Sequence, residues 1–316
     1  MADSRYEIFN TVKQHDVHDI ELVDEEGIQQ LKFQVGVSKL SVFGFILRNR
    51  LNGLMLLNIL GILFAGFIIW FFVWHGMQVI EIARRYPFSA NLLWGYPGTG
   101  LYYLADHEAE LLQARWQMFY FLVPSVMLAA VGLAVVFYVV RCYCVDIAFK
   151  PQNILRAIKL NGINFALLGL AAGGLLLFFN FLDLFFVANV SGFWFWVLRV
   201  LMFTVALFFA VIILLTMSAL SMYRMPLHRA VIMAFTIFKI MPLGCLIFGA
   251  IVIAPTFLVF VLSGFVSMIM VAIFVLLGIS FSALAWTCYT HNIFDLAINQ
   301  RFIDKEQRKA IKKATS

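Results

Sequence analysis

Six long runs of apolar residues, separated by more polar stretches, dominate the sequence. Each run holds about 20 residues or more, which is the length that an α-helix needs to cross the hydrocarbon core of a bilayer. The pattern therefore predicts an all-α, polytopic membrane helical bundle with six transmembrane helices. The predicted spans are residues 53–77, 116–140, 163–187, 194–217, 241–262 and 264–289.

The composition agrees with this pattern and excludes several classes of protein. Apolar residues make up 63% of the chain and charged residues 13%, against about 45–50% and about 25% in soluble domains. With a mean hydropathy of +0.93, these values exclude a soluble globular enzyme, a disordered chain and a disulfide scaffold. A net charge of +6 would suggest nucleic acid in a soluble protein. Here the bases flank apolar runs, so we expect a lipid bilayer and no nucleic acid.

The distribution of basic residues predicts the topology. With six spans, 19 Lys and Arg residues fall on one side of the membrane and three on the other, and Arg199 lies inside span four. Because positive residues accumulate in cytoplasmic segments, we expect both termini to be cytoplasmic. An acidic N-terminal segment, 1–38, with a net charge of −5, and a basic tail, 290–316, flank the transmembrane domain, 39–289.

Three short motifs indicate an internal repeat. A base, an aliphatic residue, a variable residue, a helix breaker and an aliphatic residue precede spans one, three and five, at Arg50–Leu54, Lys159–Ile163 and Lys239–Leu243. Each motif follows a basic, apolar-rich stretch that predicts a short amphipathic helix in the cytoplasmic interface. Gly or Pro then turns the chain into the bilayer. The motifs predict three hairpins, each preceded by an interfacial helix. The alternative is that every cytoplasmic loop is simply basic and contains a breaker.

The first outer loop, 78–115, is much longer than the other two outer turns and is rich in aromatic residues. It also holds an acidic group, and its candidate binding residues are Asp106, His107, Glu108 and Glu110. Long loops on a compact bundle are often functional. The two alternatives are a cap that seals the bundle and a lid over a binding site.

Polar residues inside the spans are the other candidate site. Asp183 and Arg199 lie eight residues on either side of Ser191, in the turn between spans three and four, and should therefore sit at similar depth. Asn180 shares a helix face with Asp183, and Asn58 in span one completes the predicted intramembrane polar cluster. Because ionisable groups in spans are costly, they are functional candidates. The alternatives are a hairpin clamp and a site that holds a substrate or a proton.

Catalytic motifs of soluble enzymes are absent from the sequence. The spans also carry no pair of residues that could act as the general acid and general base of an enzyme. We therefore expect no enzyme activity, no cofactor and no metal. Cys142, Cys144 and Cys288 fall on one side and are weak candidates for metal binding or lipidation. Metal ligand sets usually combine CxxC pairs with His or further Cys. This chain has no CxxC pair.

Several stretches resemble the YesL-like family of bacterial membrane proteins. Gly132–Arg141 looks like that family's small-residue helix ending in Tyr, Val and a base. Phe149–Asn161 resembles its amphipathic connector, and Met225–Ala234 with Lys239–Leu243 is similar to its late segment with two Pro-Leu pairs. The resemblance covers roughly residues 40–295. It implies a plasma-membrane protein, often linked with carbohydrate uptake as an accessory, and it supplies no catalytic residues. The long outer loop and the acidic N-terminal segment depart from the family's pattern.

Two functions from different classes remain open at this point. The first is an accessory or scaffold protein of a membrane process, associated with transport, that binds a membrane-protein partner or a second copy of itself. The alternative is a small secondary transporter or channel built from three helical hairpins. The first fits the absence of catalytic motifs, and the second requires a polar path to the membrane midplane.

Overall fold

The computed structural model of the chain describes residues 39–85, 100–144, 152–223, 225–261 and 272–294. All regular secondary structure in these ranges is helical. The acidic segment 1–38 and residues 295–316 of the basic tail lie outside the described residues. The helices are α1 (Lys39–Asn49), α2 (Leu51–Arg85), α3 (Gly100–Cys144), α4 (Gln152–Asn189), α5 (Phe193–Met222), α6 (Leu227–Ile240), α7 (Pro242–Val261), a π-helical turn (Phe274–Gly278) and α8 (Ile279–Phe294).

Several of these helices are long and apolar enough to cross a membrane. Within the described ranges they are α2, α3, α4, α5 and the π-helical turn together with α8. α6 and α7 are bent by 109° relative to one another and count as a sixth span if the pair is taken as one. The prediction of an all-α, multi-pass membrane protein is therefore confirmed at the level of its helices, whereas the arrangement as three hairpins stays a prediction.

Helices end near two of the three predicted breaks, but only the third break lies at its predicted helix breaker, because Gly53 is inside α2. α1 and α2 are separated at Arg50, and α6 and α7 at Met241, directly before Pro242. The middle break is wrong, because α4 runs uninterrupted from Gln152 to Asn189 through Gly162. A single glycine costs a helix only about 1 kcal/mol, and the packing of α4 along α3 outweighs that cost.

The predicted outer loop, 78–115, is helical at both of its ends. α2 continues to Arg85 and α3 already begins at Gly100, so the acidic group near residue 106 lies in the first part of α3. With 45 residues, α3 is about 67 Å long, which is more than twice the hydrocarbon thickness of about 30 Å. We call the end of the bundle where α2 ends and α3 begins the distal end. The opposite end, which holds α1 and the C-termini of α3, α5 and α8, is the proximal end.

Two glycines of α4 let this helix lie directly against α3. A Cβ atom added at Gly169 would be 2.6 Å from the Ala130 Cβ and 2.8 Å from the Met127 Cα. One added at Gly173 would be 3.0 Å from the Val123 Cα. Small residues allow such close approach between membrane helices, and Gly169 and Gly173 provide it here.

The most deeply buried large side chains lie in the proximal half of the bundle. Trp286 and Phe294 of α8, Phe137 of α3 and Leu215 of α5 are all inaccessible or nearly so. The Trp286 indole donates a hydrogen bond to the backbone carbonyl of Leu214 at 3.1 Å. The helices are thus held together near the proximal end, and their distal parts expose more apolar surface.

Candidate functional site

Four polar side chains from three helices meet at the distal end, and we call them the distal charge cluster. α3 supplies Arg115, α4 supplies Asn180 and Asp183, and α5 supplies Arg199. The Arg199 Nε lies 3.0 Å from the Asp183 Oδ1, and the Arg199 Nη2 lies 3.5 Å from the Asp183 Oδ2. The contact predicted between Asp183 and Arg199 is therefore present. At Oδ1 it is an ion pair rather than a well-directed hydrogen bond.

Arg115 is a member of the cluster that the sequence did not indicate. Its Nη2 donates to the Asp183 Oδ2 at 3.4 Å, and its Nε donates to the Asn180 Oδ1 at 2.8 Å. The apolar pattern assigned Arg115 to the outer loop, because it directly precedes the first span residue, Trp116. Its position at the edge of span two was the signal that could have identified it, since a base there can reach an acid in a neighbouring span.

The cluster has an excess of positive charge, because two guanidinium groups share one carboxylate. The Asp183 side chain is only 14% exposed, whereas the side chains of Arg115 and Arg199 are 38% and 33% exposed. The Arg199 guanidinium also lies 5.3 Å from the centre of the Phe195 ring, a cation–π contact. Asp183 is therefore enclosed by its partners, while each arginine presents part of its surface.

Asn180 is the most deeply buried member of the cluster, with 6% of its surface exposed. Its Oδ1 accepts the hydrogen bond from Arg115, but its Nδ2 has no acceptor among the described residues. A buried amide N–H without an acceptor costs roughly 1–3 kcal/mol. Such a group is unusual in a folded protein and calls for a physical reason.

Aromatic residues share the distal end with the cluster. Trp and Tyr concentrate where the bilayer meets water, because one part of each ring system is apolar and another is polar. Trp70, Trp194, Trp196 and Tyr120 are exposed, and Trp116 stacks on Tyr120. Their position indicates that the cluster lies near the level of the lipid headgroups. The Trp and Tyr residues at the distal end are Trp70, Trp74, Trp116, Tyr120, Trp194 and Trp196.

Asn58 makes its contacts elsewhere, with the backbone around the π-helical turn. Its Nδ2 donates to the carbonyls of Phe274 at 3.0 Å and Val275 at 2.6 Å. Its Oδ1 accepts from the N–H groups of Ile279 at 2.7 Å and Ser280 at 3.0 Å. Asn58 is fully buried, so the residue proposed as the fourth member of the polar cluster instead bridges α2 to an irregular stretch of backbone.

Two further side chains close the proximal end of α5. The Arg141 Nη1 donates to the carbonyl of Ser221 at 2.9 Å, and the Asn161 Nδ2 donates to the carbonyl of Leu220 at 3.1 Å. Carbonyls in the last turn of a helix have no partner within that helix. Arg141 and Asn161 thus have a structural role here.

The outer-loop candidates lie on the first turns of α3. Asp106 and Glu108 are exposed, and His107 and Glu110 are half-buried. Of the four, Glu110 lines a polar cleft of about 300 Å³ between α2 and α3. This volume is at the lower limit for small-molecule sites. The other residues that line the cleft are Gln78, Glu81, Ile82, Gln113, Ala114 and Gln117.

The cysteines considered as metal or lipidation candidates are buried. Cys142, Cys144 and Cys288 are packed into the hydrophobic core at the proximal end. Within the described parts of the chain, no group of three or more His, Cys, Asp or Glu residues could hold a metal ion.

No family model, no curated protein and no solved structure matches this chain. What the protein does must therefore be inferred from the contacts described above.

Proposed function

We propose that the chain is an integral membrane accessory or scaffold protein, without catalytic activity of its own, that holds a membrane-protein partner. The observation that carries this proposal is the use of polar side chains inside the spans to join helices. The distal charge cluster links α3, α4 and α5, Asn58 links α2 to α8, and Arg141 and Asn161 link α3 and α4 to the end of α5. A bundle whose helices are fixed in this way keeps one conformation, and its surface can therefore bind a partner without rearrangement.

Three hydroxyl groups in the spans support the same conclusion. Ser125, Thr204 and Thr216 each donate a hydrogen bond to the carbonyl four residues earlier in their own helix. This is a common way to satisfy a hydroxyl in a membrane helix. The protons of these three hydroxyls are used within their own helices and are not available to donate to a substrate.

The distal parts of α2 and α3 provide the surface on which a partner would bind. These helices continue past the apolar spans to Arg85 and from Gly100, and residues beyond the hydrocarbon layer contact water or protein. The polar cleft between them, lined in part by Glu81 and Glu110, would receive polar or basic side chains. In this proposal the partner binds outside the membrane and the bundle anchors the pair.

We further infer that the proximal end faces the cytoplasm of a cell and that the membrane is the plasma membrane. Most described bases lie at the proximal end, as the positive-inside rule requires. Because the described native cysteines are buried, single engineered cysteines report topology. A membrane-impermeant maleimide should label Glu108→Cys in intact cells, and Lys239→Cys only after lysis. The opposite pattern would invert the assigned topology.

Site-specific photo-crosslinking in native membranes tests the scaffold proposal. A photoreactive residue at exposed Glu108 should yield one discrete heavier product, identified by mass spectrometry, at the distal surface of α3. The same residue at exposed Lys239, on the other end of the bundle, is the matched control and should not capture that partner. Crosslinks only to lipid at Glu108, with the chain otherwise monomeric, would contradict the proposal.

One observation favours the alternative, a small secondary transporter or channel. A π-helical turn leads directly into α8, and the chain bends by 109° between α6 and α7. π-helical turns are frequent at functional sites, and broken helices are frequent at transport sites. Purified protein in liposomes would be assayed for proton and solute flux. Flux that is lost in Asp183→Asn would support transport, whereas impermeable liposomes would leave the scaffold proposal.

A further inference from the structure

We propose that the distal charge cluster binds a phosphate group, supplied either by the headgroup of an anionic lipid or by free inorganic phosphate. The site consists of Arg115, Arg199 and Asn180 around the carboxylate of Asp183. This binding role is additional to the scaffold function and does not depend on a protein partner.

The arginines retain donors that the cluster does not use. Arg115 uses its Nε for Asn180 and its Nη2 for Asp183. Arg199 uses its Nε and Nη2 for Asp183. In each case the Nη1 group makes no hydrogen bond among the described residues. A guanidinium with one edge occupied by a carboxylate can still donate from the other edge to an oxyanion.

Charge and exposure select an anion as the ligand. Two guanidinium groups and one carboxylate leave a formal charge of +1, and the exposed part of the cluster belongs to the arginines rather than to Asp183. An uncompensated charge near a low-dielectric layer is costly. A singly charged phosphodiester beside the two guanidinium groups would neutralise it.

The buried amide of Asn180 is an independent observation that points to a ligand. Its Oδ1 fixes the orientation of Arg115, and its Nδ2, bonded to the same carbon, has no acceptor within the described structure. Buried donors are generally paired. A phosphate oxygen at the edge of the cluster would be a missing acceptor, reached by a small adjustment of the Asn180 side chain.

The depth of the cluster makes it accessible to two sources of a phosphate group. Exposed Trp194 and Trp196 on α5 and the Trp116–Tyr120 pair on α3 mark the interface. Lipid phosphates lie at this level, and inorganic phosphate reaches it from the water. Both sources present the same tetrahedral oxyanion to the arginines, so the experiment must separate them.

Native mass spectrometry of the purified protein with phosphatidylglycerol tests the proposal. Arg115→Gln and Arg199→Gln should each weaken lipid retention about tenfold, or about 1.4 kcal/mol. Arg84→Gln is the matched control, because Arg84 is an exposed arginine at the distal end that lies outside the cluster. It removes the same charge and should leave retention within about twofold of wild type.

Asp183→Asn separates binding from mere helix clamping. It removes the internal competitor of the phosphate, so retention should rise about tenfold, although the links between helices are weakened. A purely structural cluster predicts the same direction of change for Asp183→Asn as for the arginine variants. Retention that falls in Asp183→Asn, or that responds no more to Arg115→Gln than to Arg84→Gln, would overturn binding of a lipid headgroup at the cluster.

A titration of wild-type protein with inorganic phosphate in neutral detergent distinguishes the two sources and requires no variant to fold. A rise in the thermal midpoint that sulfate or chloride does not reproduce would identify a free-phosphate site. Retention of phosphatidylglycerol over phosphatidylcholine without such a rise would identify a headgroup site. Neither effect in wild type would refute phosphate binding altogether.

Discussion

Replacing Asn58 by leucine isolates the contact that joins α2 to the π-helical turn. Leucine has nearly the same shape and cannot form hydrogen bonds. The substitution removes bonds to the Phe274 and Val275 carbonyls and to the Ile279 and Ser280 N–H groups. All of these lie next to a side chain that is 0% exposed, so water does not replace them.

The expected loss follows from these four bonds. Side-chain hydrogen bonds in membrane proteins contribute about 0.6 kcal/mol on average and at most about 1.7 kcal/mol. Four of them around one buried amide predict a decrease in the free energy of unfolding of about 2–4 kcal/mol. The π-helical turn lacks the regular i→i−4 pattern, so its polar groups depend on Asn58 more than those of a regular helix would.

The assay is reversible unfolding in mixed micelles, followed by tryptophan fluorescence. Asn189→Leu is the matched control, because exposed Asn189 makes a single hydrogen bond to the Phe185 carbonyl of its own helix. It should change the unfolding free energy by less than about 0.5 kcal/mol. If Asn58→Leu costs no more than Asn189→Leu, the proposed bridging role of Asn58 is incorrect.

The other predictions concern helix packing and the charge cluster. Gly173→Leu should destabilise by about 1–3 kcal/mol, because its Cβ would contact the α3 backbone. The adjacent Gly174→Leu should be near neutral, because nothing lies within 4 Å of a Cβ there. Asp183→Ala should cost more than Arg199→Ala, because the latter leaves Arg115 paired with the carboxylate. A double-mutant cycle for Asp183 and Arg199 should show coupling above about 0.5 kcal/mol, and strict additivity would exclude a clamp.

The sequence predicts the helical architecture well because the bilayer imposes a length and a composition on each span. The Asp183–Arg199 contact was also predictable, because a short turn places equally distant residues of a hairpin at the same depth. Both inferences need only local information, namely hydrophobicity over a window and distance along the chain.

The remaining features depend on contacts between distant residues. Arg115 and Asp183 are 68 positions apart, and Asn58 and Val275 are 217 positions apart, so no local pattern brings them together. The continuation of α2 to Arg85 and the start of α3 at Gly100 were missed, because a helix that packs against another helix need not be apolar. The continuity of α4 through Gly162 was missed because packing against α3 outweighs a weak local preference.

The protein stoichiometry of the complex purified from native membranes tests the scaffold proposal most directly. The chain would be isolated in mild detergent through an affinity tag, and each component quantified by mass spectrometry against labelled standards. The proposal predicts one membrane-protein partner at a fixed ratio to the chain, with that ratio reduced when the charges of Glu81 and Glu110 in the distal cleft are reversed. A chain that purifies alone, with no partner at a fixed ratio, would contradict it.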